Sequence, residues 1–451
     1  MTHYHFIGIG GIGMSGLATI LLEKGNVTVS GSDLNKKGLS EKLSSLGATV
    51  FQGHAVANLP ENAIVIVSSE IPPHNPELQE AVRRGCPILH RSDLLVKLMK
   101  GYEPLVVTGT HGKTTVTSLL AHVFFEAKED PSFSVGGVVP NFGTNARYGS
   151  GRFFIAEADE SDGTFLKYPY RGAIVTNIDS DHLAHHGTME RLEQQFAEFF
   201  QRSTSPSTCF FCGDDQRLQR LHPEGTSYGF SPTNTLSIHN FRASEEGITY
   251  DIEFSGKKYL DIKIPLFGRH NALNSSAVFG LGIALNLPEE AIRSAFKTFR
   301  GVKRRLDKKA AGSFCTIFDD YGHHPTEISE TIKALRSFIG KKRLVVVFQP
   351  HRPSRMKYTI HELPGAFQQA DMVIVTDLYL SNEGDSKEVN SQMIFEKVKN
   401  SHDVPTYFCG REGLVKDVFS KLLKDDVVIF FGAGDITKAA DDLADMVRKG
   451  K

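Results

Sequence analysis

The sequence predicts an α/β protein built from three successive domains, and three observations carry that expectation. Short apolar runs recur from one end of the chain to the other, separated by stretches with helical spacing. The first run leads into Gly8-Ile9-Gly10-Gly11-Ile12-Gly13, a glycine turn followed at once by a helical pattern. A later run, Val106-Val107, leads into a second such turn, Gly109-Thr110-His111-Gly112-Lys113-Thr114-Thr115. A strand, a glycine turn and a helix in that order bring backbone N–H groups and a helix N-terminus up to an anion.

Length and composition set the bounds. At 451 residues the chain has room for about three domains of roughly 150 residues. It is 40% hydrophobic and 23% charged with a net charge of -1, the balance of an ordinary globular protein without the basic excess of a general nucleic-acid binder. No apolar run approaches the roughly 20 residues that span a bilayer, and the N-terminus enters a strand directly. The expectation is a cytoplasmic protein with neither a membrane nor a nucleic-acid partner. Five scattered cysteines argue against a disulfide framework. Cys209 and Cys212 have metal-like spacing but no second pair, and read as incidental thiols beside a strand.

The first domain is placed at 1–101. After the opening strand, Gly8, Gly10 and Gly13 form a G-x-G-x-x-G turn, a helix runs to about Lys24, and a strand is predicted over Val27–Gly31. Asp33 follows 20 residues after Gly13, where a carboxylate accepts from ribose hydroxyls in dinucleotide-binding folds. This predicts a Rossmann-like unit that grips a nucleotide diphosphate, completed by strands at Ala63–Val67 and Pro87–Leu89.

The second domain is placed at 102–305. Its glycine turn is the short form of the phosphate loop, G-x-x-G-K-T, with Lys113 supplying a point charge for phosphates and Thr114 a hydroxyl for Mg²⁺. Strands are predicted at Phe153–Ala156 and Gly172–Thr176, a smaller β region at Leu236–Phe254 and Tyr259–Ile264, and a helix over Asn271–Leu285. The reading is a P-loop ATPase domain with a parallel sheet plus that β region. The third domain, 306–451, shows strands at Cys315–Asp319, Leu344–Phe348, Met372–Thr376 and Val427–Phe431 separated by helical patterns, again Rossmann-like.

Polar clusters at strand ends carry the remaining chemistry. Glu157-Ala158-Asp159-Glu160-Ser161-Asp162 puts four carboxylates after an apolar strand, where a hard cation beside nucleotide phosphates finds oxygen ligands. Thr176 to His186 offers Asp and His groups that fit either a zinc centre or a Mg²⁺-linked His182; the second agrees with an ATP apparatus. Lys303-Arg304-Arg305 at the second junction and His351-Arg352-Pro353-Ser354-Arg355 after a strand suit carboxylate and phosphoryl recognition, since guanidinium forks bind both bidentately. Asp319 to Pro325 adds acids, Tyr321 and two imidazoles for orientation or general base work.

These residues together resemble the Mur ligases of bacterial cell-wall synthesis, over essentially the whole chain, and most closely the branch that adds L-alanine to UDP-N-acetylmuramate. The matching segments are the Gly8 to Gly16 turn, Thr108 to Thr115, Glu157 to Asp162, Thr176 to His182, Gly268 to Asn274, Gly301 to Arg305, Asp319 to Pro325, Gln349 to Arg355 and Gly432 to Asp435, in family order. The sister ligases' carbamylated Lys has no counterpart between Glu190 and Arg202, as in the alanine-adding branch. The resemblance implies an acid–amino-acid ligase using ATP and Mg²⁺, acting on the small molecules UDP-N-acetylmuramate and L-alanine as a monomer or weak homodimer. It implies a UDP-sugar set of Gly10, Gly11, Ile12, Gly13, Asp33, Ser68, Asn141 and Asn145. ATP would meet Gly109, Thr110, His111, Gly112, Lys113, Thr114 and Thr115, with His270, Asn271 and Asn274 near the adenine. Thr114, Glu157 and His182 would hold Mg²⁺. Tyr321, His323, His351, Arg352 and Arg355 would surround the amino acid, and Lys113, His182, Arg304, Arg305 and His323 would carry catalysis. Two alternatives stay open here: a ligase that joins a preformed murein tripeptide to the same sugar, and an NAD-dependent oxidoreductase drawn from the first glycine turn alone.

Overall fold

The computed structural model describes residues 1–449 apart from 35–37, 181–186, 222, 313, 382, 385, 387 and 402. Three sheets follow one another along the chain. The first contains β1 (Thr2–Ile7), β2 (Val27–Asp33), β3 (Thr49–Gln52), β4 (Ile64–Val67) and β5 (Ile88–His90) in the order β3-β2-β1-β4-β5. Every pairing in it is parallel, so each strand delivers its C-terminal end to the same edge.

The second sheet has ten strands. They are β6 (Glu103–Thr108), β7 (Ser132–Val139), β8 (Thr144–Arg147), β9 (Phe153–Glu157), β10 (Gly172–Val175), β11 (Cys209–Cys212), β12 (Thr226–Gly229), β13 (Leu236–Ser244), β14 (Gly247–Phe254) and β15 (Lys257–Ile264). Their order is β15-β14-β13-β12-β11-β10-β6-β9-β7-β8. The predicted smaller β region is the antiparallel wing β13-β14-β15, joined edge to edge to the parallel part through β12. Strand β6, which carries the phosphate loop, lies between β10 and β9. Both neighbours therefore end in polar loops beside it.

The third sheet runs β16-β17-β21-β18-β19-β20, from β16 (Asp307–Ala311), β17 (Cys315–Asp320), β18 (Leu344–Phe348), β19 (Met372–Val375), β20 (Thr406–Phe408) and β21 (Asp426–Phe431). Only β16 is antiparallel to its neighbour. All of β18 is buried, as an unbroken apolar run in a sheet covered on both faces should be. Alternate residues divide between the faces: Leu344, Val346 and Phe348 join one core, Val345 and Val347 the other.

The cores show how the three domains are joined. One continuous apolar cluster contains Phe6, Met14 and Leu17 from the first domain together with Val116, Phe133 and Ala146 from the second. The helix Ile12–Lys24 lies on β7 and β8, and Asn145 donates from Nδ2 to the carbonyl of Ile12 at 2.7 Å. A Cβ placed on Gly16 would stand 3.2 to 3.3 Å from Asn145, Ala146 and Ser134, so a larger residue here must push the two domains apart. The third domain keeps its two cores to itself. Its apolar contact with the second includes the stacked pair Phe267 and Phe338, 4.1 Å between ring centroids. The first two domains thus form one packed body against which the third makes largely polar contacts. Gly16→Val should accordingly lower the urea midpoint of the unit formed by the first two domains, at a cost of about 1–3 kcal/mol. The transition of the third domain should not move; loss of both together, followed by domain-specific hydrogen exchange, would show a single cooperative unit instead.

Candidate active site

A cleft of about 1160 Å³ opens where the C-terminal ends of all three sheets converge. Gly11, Ile12, Gly13, Ser68 and Arg91 line it from the first domain, Thr110, Lys113, Thr114, Glu157, Asp159 and Asp162 from the second, Arg304 and Arg305 from the second junction, and Tyr321, His323, His351, Arg352 and Arg355 from the third domain.

The phosphate loop is held in shape by the end of β10. Asn177 Oδ1 accepts from the His111 N–H at 2.9 Å, and Asn177 Nδ2 and Thr176 Oγ1 donate to the His111 carbonyl at 3.0 and 2.6 Å. Gly109 has a φ of 120°, and a Cβ there would fall 2.2 Å from Thr176 Oγ1, so this clamp requires glycine. The helix Lys113–Glu126 then starts with its first N–H groups free for an anion.

Lys113 and Glu160 form a buried ion pair, Nζ to Oε2 at 2.7 Å. The same ammonium donates to the carbonyls of Gly109 at 2.7 Å and Thr110 at 3.1 Å. Burial opposes the charge on Lys113, but Glu160, Asp159 and Glu157 outweigh it and raise its pKa. Burial pushes Glu160 up to about 7, with Lys113 drawing it back down. The remaining carboxylates take separate duties. Glu157 Oε1 accepts from Thr114 Oγ1 at 3.0 Å, and Oε2 from the Gly136 N–H at 2.7 Å. A Cβ on Gly136 would lie 2.7 Å from both Glu157 oxygens, so glycine permits that approach. Asp159 and Asp162 face Arg91 at 3.6 and 3.3 Å. The acidic cluster therefore divides its contacts: Glu157 pairs with Thr114, and Asp159 and Asp162 face Arg91.

Thr114 and Glu157 suit a hard divalent cation. They present a hydroxyl and a carboxylate oxygen side by side at a strand end, and burial raises the pKa of Glu157, a penalty that a cation would relieve. His182, the third predicted metal residue, lies outside the described residues.

On the opposite wall, burial, then His323 and Arg355, lowers His351 to about 3, so its imidazole is neutral at pH 7. Its Nδ1 lies 3.1 Å from Arg355 Nη1 and accepts from it. Arg304 Nη2 donates to the Gly432 and Gly434 carbonyls at 2.5 and 3.1 Å, and both Arg304 and Arg305 lie over the Tyr321 ring. Arg352, in a left-handed conformation with φ 62°, faces Glu70 of the first domain at 3.3 Å.

Several predicted residues are placed elsewhere. Asp33 accepts from the Gly10 N–H at 2.9 Å, shaping the first turn from behind it. Asn141 is committed to the Thr298 carbonyl and the Arg300 N–H, and Asn145 to Ile12, so both asparagines hold chain segments together and neither lines the cleft. His270, Asn271 and Asn274 also lie off the described cleft. Asn274 backs the phosphate loop, 3.0 Å from where a Gly112 Cβ would stand, and donates to Asn271.

Sequence reasoning missed three groups. Arg91 carried no motif. Asp179 and Glu327 lay within quoted segments or just beyond them, yet flank His111: Nε2 is 2.9 Å from Asp179 and Nδ1 is 3.5 Å from Glu327. Burial lowers the pKa of His111, but these two carboxylates more than reverse it, raising it to about 9. His111, Asp179 and His324 also approach one another as metal ligands would. His324 Nδ1, however, accepts from the Thr326 N–H as a helix cap, and His111 already serves two carboxylates.

Known proteins match this architecture domain by domain. Residues 3–103 match the Mur ligase family catalytic domain, 107–282 the Mur ligase middle domain and 304–434 the Mur ligase glutamate ligase domain. The UDP-N-acetylmuramate--L-alanine ligase of Protochlamydia amoebophila is 44% identical over 450 residues, covering 100% of this chain and 99% of its own. The chain belongs to the Mur ligase family. The bifunctional enzyme MurC/Ddl of Chlamydia caviae is 41% identical over 449 residues, and this chain spans 55% of its length. The crystal structure of UDP-N-acetylmuramate-alanine ligase MurC from Thermotoga maritima superposes with a TM-score of 0.87 at 28% identity, over 100% of both chains.

The raised pKa of His111 makes a stability prediction. Its folded value of about 9 exceeds the unfolded value of about 6.5, so its contribution is complete below about pH 6.5 and is lost as pH rises through 9. The Tm difference between the wild type and His111→Asn should be greatest near pH 6 and vanish by about pH 10. A difference that is flat with pH would mean that the imidazole titrates at the same pH folded as unfolded.

Proposed function

We propose that this chain is the ATP-dependent ligase that joins L-alanine to the lactyl carboxylate of UDP-N-acetylmuramate, releasing ADP and phosphate. The observation that carries the reading is the meeting, in one cleft, of a glycine turn, a phosphate loop with a buried lysine, and a wall of guanidinium, imidazole and phenol groups. In this reading 1–101 holds the UDP-sugar, 102–305 the ATP and 306–451 the amino acid. The names of relatives matched over the full length support it.

A carboxylate is a poor electrophile toward an amine, so it must first become a mixed anhydride. The lactyl carboxylate attacks the ATP γ-phosphorus, the bond to the β-phosphate oxygen breaks, and ADP leaves an acyl phosphate. Both reactants are anions, and Lys113, exchanging Glu160 for the phosphate oxygens, offsets their repulsion. Thr114 and Glu157 are the residues that would hold Mg²⁺, which supplies charge neutralisation for the phosphates when bound. Arg304 and Arg305 face the same space from the second junction. The neutral amine of L-alanine then adds to the acyl carbon and phosphate departs from the tetrahedral adduct. Water would hydrolyse the acyl phosphate, so the third domain must exclude it while Arg355 and His351 hold the amino-acid carboxylate.

Phosphate release from Mg-ATP with UDP-N-acetylmuramate tests the reading. Release that depends on L-alanine supports it; dependence on the murein tripeptide, or release with neither, rejects it. Lys113→Ala should lower kcat by at least about 100-fold while leaving the Kd for UDP-N-acetylmuramate within about twofold by calorimetry. Arg355→Ala should instead raise the KM for L-alanine by about 10- to 100-fold and leave that for ATP unchanged. An unchanged KM for L-alanine would remove Arg355 from the amino-acid pocket.

A further inference from the structure

One imidazole of the second domain bridges carboxylates of the second and third domains. His111, in the phosphate loop, has Asp179 of its own domain at Nε2 and Glu327 of the third domain at Nδ1. Glu327 sits in the first turn of the helix Pro325–Ile339, where its Oε2 accepts from the N–H groups of His323 at 3.2 Å and His324 at 3.4 Å. Its Oε1 also lies 3.3 Å from Arg305 Nη1. From the same turn, Thr326 Oγ1 donates to Asp179 at 2.8 Å. His111 thus reaches, through one carboxylate, the backbone of the segment that presents Tyr321 and His323 to the cleft. Because the third domain shares no continuous core with the other two, polar contacts of this kind carry much of the information about where it docks.

We propose that His111, Asp179 and Glu327 form an interdomain clasp that sets the amino-acid-binding segment Tyr321–His323 at a fixed height above the phosphate loop. His111 and Glu327 are positioning residues: they act through the loop and through the His323 backbone, without touching the reacting atoms. The clasp explains a feature that phosphate binding alone does not require. Both ring nitrogens of His111 face carboxylates, one from each domain, and the His111 backbone is clamped through its N–H and its carbonyl by Asn177. The loop is therefore a rigid reference against which the third domain is registered. The kinetic consequence rests on the ligase reading above; the docking consequence does not.

A double-mutant cycle with a conformational readout tests both. His111→Ala, Glu327→Ala and the double variant should each lower kcat/KM for L-alanine by about tenfold or more, with the double variant no worse than the more damaged single. The Kd for UDP-N-acetylmuramate should not change. Glu327→Gln separates the clasp from a simple helix cap, because glutamine still accepts from the His323 N–H but carries no charge. A clasp predicts that Glu327→Gln remains impaired; full recovery of activity would reduce Glu327 to a cap and overturn the proposal. Small-angle scattering of the ligand-free proteins should show a larger radius of gyration for His111→Ala and Glu327→Gln than for the wild type. Unchanged scattering, or losses that simply multiply in the double variant, would also overturn it. If the wild type makes no ligation product while the scattering shift is present, the ligase reading fails and the clasp stands.

Discussion

Lys113 and Glu160, buried side by side, set the terms for the rest of the cleft. An ammonium taken out of water needs partners on all its protons, and here two loop carbonyls and one carboxylate supply them. That arrangement costs the protein a carboxylate pushed to about 7 by burial. It also keeps the lysine charged and close to the loop before any phosphate arrives. Such a site is preorganised for an anion in the sense that matters energetically: phosphate oxygens would replace a carboxylate oxygen, and no new cation would have to be buried.

The surrounding structure follows from protecting that arrangement. The loop must stay open around the ammonium, so Thr176 and Asn177 tie it to the end of β10. The neighbouring carboxylates cannot all crowd the same cation, so they are distributed: Glu157 to Thr114 and a backbone N–H, Asp159 and Asp162 to Arg91 of the first domain. The last pairing joins the acidic loop to the wall of the first glycine turn, since Arg91 Nη1 is only 3.5 Å from where a Gly13 Cβ would stand. The two glycine turns thereby share one network of charges. The first two domains can support such a network because a common apolar core holds them together.

How much of this was legible in the sequence depends on the range of each interaction. Strand β6, its glycine turn and the following helix are local signals, as are the alternating apolar runs of β13–β15, and the structure places them where the pattern predicts. Short strands with mixed composition, such as Thr49–Gln52 and Thr406–Phe408, were not legible, because pairing at a sheet edge and not their own residues makes them strands. Among site residues, Lys113, Thr114, Glu157 and His351 belong to contiguous motifs and line the cleft. Asn141 and Asn145 have the same chemistry as sugar-binding asparagines, and only tertiary contacts reveal that their amides are spent on backbone groups. Arg91 and Glu327 matter through partners 71 and 216 residues away, at Asp162 and His111, and no local pattern announces such pairs.

The division between a shared core and a polar docking surface is itself functional chemistry. In the proposed reaction an acyl phosphate would be formed with ATP and sugar held rigidly together, which two domains welded by apolar burial would favour. It would then meet an amine that, in the proposed reading, the third domain brings. Apolar welding of that domain would make each opening expensive, because burial is worth about 25 cal/mol per Å² and cannot be exchanged for water contacts without loss. Charged and hydrogen-bonded contacts give direction and register while their partners remain well solvated on separation. The two kinds of contact are distributed accordingly: Leu17 against the second domain's core, and imidazole, carboxylate and guanidinium groups between the third domain and the other two.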